Sequence, residues 1–295
     1  MTKILLIANP KSGTINFDNA INTVNMYFKK FSVESTLIKT ESNGHAVDIV
    51  KNQNLTNFDS VCAMGGDGTL FEVLNGMLSK STKDRIPISI IPNGTGNSFM
   101  KTVSTTKSES AVKIIAANSS RKIDVMKASC DQKDFFSLNL IGWGMATDIS
   151  LFAEKLRVFG GQRYNIASFF EIIKNKRRVA KINIDGVERE CDFAFIIACN
   201  TKYVGKDMKM APNAIIDDGL IDLIIVKKAS SLTLFSVFPK LFDGSHIEHD
   251  ACEYVQCKSF SIDPDDRGKL NIDGEITGTS PVSVAIIKGG VELII

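Results

Sequence analysis

The sequence predicts two domains: an α/β domain with a parallel sheet over residues 1–125, and an antiparallel β-sandwich over residues 126–295 interrupted by a helical insertion near 148–178. Two observations carry this. Up to about residue 125, short apolar runs alternate with amphipathic segments, and β-α-β-α order requires parallel strands with helices on both faces. After that point the chain becomes a series of short β-rich runs separated by turn residues, the texture of a sandwich or barrel.

In the first part, KILLIA (3–8) reads as a buried strand and 17–31 as a helix with Ile21, Val24, Phe28 and Phe31 on one face. VESTLIKT (33–40) alternates as a strand does, and HAVDIVKNQ (45–53) is helical. DSVCAM (59–64) and IPISIIP (86–92) are two further strands, with TLFEVLNGMLSK (69–80) as the helix between them. In the second part IDVMKAS, FFSLNLIG, AKINIDG, CDFAFIIAC, LIDLIIVKK, SFSIDPD, KLNIDGE and SVAIIKGG are the strand candidates. There is no internal repeat.

Composition narrows the function. With 44% apolar and 23% charged residues the chain is an ordinary globular protein, and 35 basic against 33 acidic residues leave no global footprint for nucleic acid. No CxxC pair occurs among the six cysteines, and several stand in apolar runs; buried thiols in a reducing compartment are the expectation. The first apolar run is too short for a signal peptide and ends in Asn9-Pro10, and no stretch is long enough to be a transmembrane segment. The expectation is a cytoplasmic protein whose membrane contact is peripheral and transient. A homodimer is compatible with the sequence, but no residue argues for it.

Ligands of parallel α/β sheets collect at the carboxyl ends of the strands. Here those ends read Asn9-Pro10-Lys11-Ser12-Gly13, Thr40 before Glu-Ser-Asn-Gly, Gly65-Gly66-Asp67-Gly68-Thr69, and Pro92-Asn-Gly94-Thr95-Gly96-Asn97. Each turn alone is weak, since Gly and Asn also simply make turns. Together they offer many amide and hydroxyl donors to one polyphosphate, which marks a nucleotide-binding domain. Neither GxxxxGK[ST] nor GxGxxG is present. Asp67 is out of place in a phosphate cradle unless a cation or a proton is handled there. As a catalytic base it would take the proton of an acceptor hydroxyl during phosphoryl transfer; the alternative is an acid favoured by a helix N-terminus.

GGDGTLFEVLNG, with NPKSG before it and IPNGTGN after it, resembles the diacylglycerol/sphingosine lipid kinase family. MAPNAIIDDGLIDLIIVKK (210–228), FDGSHIEH (242–249) and KLNIDGE (269–275) match later blocks of that family in order, so the likeness runs nearly end to end. It implies an ATP- and Mg2+-dependent kinase acting on a lipid hydroxyl at a membrane surface. Asn9, Pro10, Lys11, Thr40, Gly66, Asp67, Gly68, Thr69, Glu72, Gly94, Thr95 and Gly96 then look like nucleotide contacts. Asp67 matches the base of sphingosine-type members, while Asp273-Gly274-Glu275 resembles a block whose glutamate is the proton acceptor of bacterial diacylglycerol-type members. Asp67 as base with Glu275 supporting the metal or the hydroxyl is the assignment adopted; by itself Asp-Gly is a hairpin turn. Asp218, with the carbonyls of Ile215 and Leu220, resembles the ligand set of a second Mg2+, or caps its own turn.

The segment 143–164 is more like sphingosine or ceramide kinases. Glu154, Arg157 and Arg163 fall where that branch has an acid and two ATP-facing arginines, and Asp148 where it meets the substrate. Three positions depart from the family: Ser150 replaces a second aspartate that faces an amine-bearing headgroup, Phe71 stands where Asn is common, and Ser98 where bacterial members have Asp. NAD kinase, which shares GGDGT, and an inactive nucleotide- or lipid-binding regulator are the rival readings. Phe152, Leu156, Phe159, Phe169 and Phe170 either line an acyl-chain tunnel or form the core of amphipathic helices. Lys174–Arg178 touches anionic headgroups or is a solvated helix end.

Overall fold

A computed structural model describes residues 1–13, 16–94, 97–103, 105–205 and 208–295, the side-chain surroundings of Arg157 and Gly161 excepted. The chain divides into two compact units, Met1–Val125 together with Lys288–Ile295, and Met126–Ile287.

In the first unit β1 (Thr2–Ala8), β2 (Val33–Lys39), β3 (Ser60–Gly65) and β4 (Ile88–Pro92) lie in the order β2-β1-β3-β4, all parallel. Beyond β4, Leu293 and Ile294 pair in parallel with Ile88 and Ser89. Strand alternation places Ile4, Leu6 and Ala8 of β1 in one core with Ile21, Val24 and Phe28 of α1 (Phe17–Lys30). Leu5 and Ile7 are equally buried on the other face. That face is covered by α2 (His45–Asn52) and α3 (Asp67–Leu78), which pack on each other, with α3 on β3. Two helices not named by the sequence reading follow, α4 (Ser98–Val103) and α5 (Ser108–Ala117), the latter burying Ala111, Val112 and Ile115 beside α1.

The second unit is antiparallel throughout. β5 (Ser120–Cys130), which begins in the first unit, forms a hairpin with β6 (Lys133–Ser137). The long strand β9 (Val187–Cys199) pairs first with β8 (Val179–Ile184), then lies between β7 (Leu140–Gly144) and β10 (Ile221–Lys227). From β8 the pairing continues through β12 (Ser259–Pro264) to β15 (Val282–Ile294), and from β7 through β13 (Lys269–Ile272) to β14 (Glu275–Thr279); β11 (Cys252–Cys257) flanks β10.

The helical insertion consists of α6 (Met145–Lys155), a 3-10 turn over Arg157–Gln162 and α7 (Arg163–Lys174). It stops at Lys174, short of the expected residue 178, because Asn175 takes a left-handed conformation (φ 42°) and caps the helix. Two short helices, α8 (Ser231–Val237) and α9 (Lys240–Asp243), are also new to the structure; they complete too few turns to leave a 3.6-residue period. Met145, Ile172 and Leu234 from α6, α7 and α8 share a core with Ile197 and Ile224 of the sheet. All six cysteines are free thiols, four of them buried. Among the described residues no helix is long and apolar enough to cross a membrane.

Candidate active site

The parallel register brings the four loaded strand ends of the first unit to one edge: Ala8 is opposite Lys39 and Met64, and Gly65 is opposite Pro92. The turns then touch one another through backbone. Thr40 N–H donates to Ala8 O (2.9 Å), Asn9 N–H to Met64 O (3.1 Å) and Asn93 N–H to Gly65 O (2.9 Å). A Cβ on Gly94 would stand 2.4 Å from Gly66 Cα, and one on Gly13 (φ +80°) 2.1 Å from Asn93 O. These glycines are needed for loop to meet loop, whatever they offer a phosphate. Asn9 closes its own turn, its side chain accepting the N–H of Lys11 (2.9 Å), while Pro10 and Lys11 are exposed. Gly68 is half-buried and Thr69 is buried. Thr95 and Gly96 lie outside the described residues.

The two acids of α3 act as clamps. Asp67 opens the helix, and its carboxylate accepts the N–H groups of Ser98 (2.9 Å) and Phe99 (3.3 Å), joining the turn after β3 to the start of α4. Asn97 (φ +48°) closes the turn after β4 by exchanging two hydrogen bonds with Gly94. Gly44, which precedes α2, has no side chain to cap that helix. Glu72 supplies the cap from α3, with Oε1 accepting Gly44 N–H (2.8 Å) and Oε2 accepting Ala46 N–H (3.0 Å). Sequence reading gave Glu72 to the nucleotide and did not foresee this contact.

In the second unit Asp273 and Gly274 form a tight turn with φ of +51° and +93°, the two positive values a type I′ hairpin requires. The Asp273 side chain points inward. Oδ1 accepts from Ser137 Oγ (2.6 Å), Asn139 N (3.0 Å) and Leu140 N (2.8 Å), and Oδ2 from Leu138 N (2.9 Å). Burial pushes this carboxyl up to about 6, against the lowering effect of those four donors. Glu275, two residues on, is exposed.

Asp148 on α6 is ion-paired with Arg178, whose side chain is buried. The solvated-run reading of Lys174–Arg178 therefore fails at its last residue. Ser150 Oγ donates to Ala146 O (3.1 Å) and accepts from Asn271 Nδ2 (3.0 Å), tying α6 to β13. Glu154 and Arg163 pair at 3.6 Å, and Arg163 also lies over the Tyr164 ring. The surroundings of the Arg157 side chain lie outside the description. Asp218 Oδ1 accepts Leu220 N–H (2.9 Å), the geometry of a turn cap, and Ile215 is exposed. Among the described residues no group of three or more His, Cys, Asp or Glu is gathered to hold a metal. Asp222 is fully buried: Oδ1 accepts from Tyr254 Oη and from Gln256 Nε2, whereas Oδ2 has no hydrogen-bond partner among the described residues.

The sequence reading missed Asn271 and Ser137, and it named Asn97 only as a turn residue and Arg178 only as the end of a basic run. Each acts through a partner far along the chain or through a loop backbone, and neither leaves a mark in periodicity or composition.

The profile of the diacylglycerol kinase catalytic domain matches residues 3–128, and that of the YegS C-terminal NAD kinase beta sandwich-like domain matches residues 139–295. The chain is 27% identical to a diacylglycerol kinase of Bacillus subtilis, over 95% of this chain and 92% of that one. It is 26% identical to sphingosine kinase 1 of Arabidopsis thaliana, over 93% of this chain and 68% of the relative. A crystal structure of a diacylglycerol kinase from Bacillus anthracis superimposes with a TM-score of 0.82 at 25% identity, covering 99% of this chain and 96% of that one. With both domain profiles matched in order and the two-unit fold shared, the chain belongs to the diacylglycerol/sphingosine kinase family and is a lipid kinase.

Proposed function

We propose that this lipid kinase uses ATP and Mg2+ to phosphorylate the hydroxyl of a neutral, diacylglycerol-type lipid. The observation that carries the substrate class is the engagement of the side chains at positions 148 and 150. Asp148 is held by the buried Arg178, and Ser150 is bonded to Ala146 and Asn271. A cationic sphingoid headgroup needs a carboxylate there, and a glycerol hydroxyl does not. The sphingosine kinases among the relatives keep a sphingoid substrate as the second reading.

In this reading the amide-rich turns at Asn9–Lys11, Thr40, Gly66–Thr69 and Gly94–Gly96 hold the phosphates, and the family resemblance assigns Arg157 and Arg163 to the developing phosphoryl charge. Glu72 acts by fixing the turn before α2. The lipid oxygen bonds to the γ-phosphorus as the bond from that phosphorus to the bridging oxygen breaks and ADP leaves; Asp67 takes the hydroxyl proton, with Glu275 in support. Mg2+ would supply charge neutralisation on the phosphates, retaining several waters and needing few protein ligands. A second Mg2+ would be held by Asp218 with the carbonyls of Ile215 and Leu220, an oxygen-only set of the kind a hard cation takes.

The test is labelled ATP with separate micelles of diacylglycerol, ceramide and sphingosine, and NAD in parallel. Label in diacylglycerol alone supports the reading; label in NAD or sphingosine alone overturns it. Asp67→Asn should lower turnover by about 10²–10⁴-fold with ATP affinity within threefold of wild type. Because Asp67 also holds α4, melting of the variant is measured alongside.

A further inference from the structure

Arg178 is a cation in an unusual place. Its side chain is only 8% exposed, and a buried charge is tolerated only when it is paired and hydrogen-bonded. Nη1 donates to Lys176 O (2.9 Å), and Nη2 donates to Oδ2 of Asp148, 30 residues back on α6. The backbone is fixed as well: Arg178 O accepts Phe193 N–H (3.0 Å) just ahead of β8. A left-handed glycine makes room for the stem. A Cβ on Gly144 (φ +87°) would stand 3.3 Å from Arg178 Cδ and 2.7 Å from Ala194 O, so a side chain there would press on the arginine. The neighbouring cations are engaged elsewhere, Arg177 with Asp192 (2.8 Å) and Lys228 with the main-chain and side-chain oxygens of Asn175. Among the described residues Asp148 is therefore the acid that balances Arg178.

The two partners differ in what else they can meet. The Asp148 side chain is 33% exposed and stands on the wall of a groove of about 590 Å³ between α6 and α7, beside Leu151, Phe152, Phe170 and Ile173. Arg178 uses Oδ2, and among the described residues Oδ1 accepts no hydrogen bond. A neutral hydroxyl can donate to Oδ1 while the ion pair stays closed. An ammonium group needs the negative charge that Arg178 already neutralises, and prising the pair apart would strand a buried guanidinium. The rest of the wall offers no substitute. Glu171 is paired with Lys174 (3.4 Å), and Lys155 is exposed, so the groove and its backing hold three cations against two acids.

We propose that Arg178 sets the headgroup charge this kinase accepts: by holding Asp148 in an internal ion pair it lets that acid orient a neutral hydroxyl and denies it to an ammonium group. Arg178 is a positioning residue, acting through Asp148 rather than on the lipid. The proposal rests on the reading that Asp148 meets a neutral acceptor lipid, and it adds which residue imposes the neutrality and by what means.

The experiment compares kcat/KM of the full chain for diacylglycerol, sphingosine and N-acetylsphingosine in neutral detergent micelles; the last two present the same hydroxyl with and without a positive charge. A freed carboxylate bonds an ammonium group at about 10–100-fold in affinity, and partial exposure puts Asp148 at the lower end. Arg178→Met should therefore raise the sphingosine-to-diacylglycerol ratio about tenfold, through a lower KM for sphingosine and with no such gain for N-acetylsphingosine. Arg178→Lys, which keeps a point charge, should leave the ratio within about threefold of wild type. A purely structural role would lower all three substrates together and leave the ratio alone. Adding Asp148→Asn to Arg178→Met should abolish the gain, and binding of fluorescent sphingosine without ATP should follow the same order. Should Arg178→Met fail to fold, Arg178→Gln, which keeps a neutral donor toward Asp148, gives the same test. A ratio unmoved when the charge is removed, an equal shift in Arg178→Lys, or a gain that survives Asp148→Asn overturns the proposal. Wild-type preference for sphingosine overturns it together with the reading beneath it. A wild type confined to diacylglycerol whose variants keep the ratio overturns the role of Arg178 alone.

Discussion

Replacing Asp273 by Ala removes a single buried acceptor that four donors share. The donors are Ser137 Oγ and the N–H groups of Leu138, Asn139 and Leu140, all within 3.0 Å. Four bonds to a charged acceptor at about 1.5–3 kcal/mol each set a ceiling of about 6–12 kcal/mol. The wild-type fold already bears part of this, because raising the carboxyl from 3.8 to about 6 by burial corresponds to about 3 kcal/mol at neutral pH. Ser137 Oγ also has Leu140 O within 3.1 Å, and it keeps that partner in the variant. Three donors left unpaired, less the part already borne, give an expected net loss of about 2–6 kcal/mol, or a Tm lower by roughly 10 °C in a unit of this size. The assay is calorimetry of the full chain with Lys269→Gln as the comparison, since that residue of the same hairpin is exposed and its replacement should leave melting within about 0.5 kcal/mol. A Tm for Asp273→Ala within 2 °C of wild type would refute the clamp.

The same carboxyl gives a pH dependence with a definite sign. Its folded pKa lies above its unfolded one, so the folded chain binds more protons between about pH 4 and 6, and the contribution of Asp273 to stability falls as pH rises through that window; Asp273→Asn should flatten the slope in denaturant titrations. Glu72→Gln loses one of the two amide bonds that cap α2, and melting should fall by about 1–2 kcal/mol; a loss of ATP affinity with stability unchanged would favour direct nucleotide contact. Gly94→Ala puts a Cβ 2.4 Å from the Gly66 backbone, so the turn must open, and ATP affinity should fall at least tenfold by calorimetric titration. His246 is fully buried and burial pushes it down, so its contribution to stability is present above its unfolded value near 6.5 and is lost on acidification below it; His246→Gln should remove that part of the acid limb.

The parallel sheet was legible because KILLIA, DSVCAM and IPISIIP are largely apolar runs followed by Asn9, Gly65 and Asn93, and they alternate with helical segments as buried parallel strands do. The site edge followed from the same strands, since register alone places Ala8, Lys39, Met64 and Pro92 together. What the acids hold was not legible. Glu72 reaches back 28 residues to Gly44, and Asp273 reaches 133 to 136 residues to its loop, distances at which spacing carries no information. Periodicity found the apolar positions of the helical insertion but not their direction, because a stripe on α7 looks alike whether it faces a core or solvent, and Phe169 and Phe170 are exposed. Arg178 closes a basic run that reads as solvated; only the tertiary position of Asp148 draws it inward.

The return of residues 288–295 to the first unit has a practical consequence for dissecting this enzyme. A fragment cut after residue 125 would leave the Ile88–Ser89 rim of the sheet stripped of Leu293 and Ile294, and Gly289 would no longer donate to the buried Asp124 (2.7 Å). Such a bare, apolar margin invites intermolecular strand addition. Isolating the catalytic half in working form therefore calls for splicing the terminal octapeptide back onto it, and nucleotide affinity measured on the simple truncation would describe an aggregate.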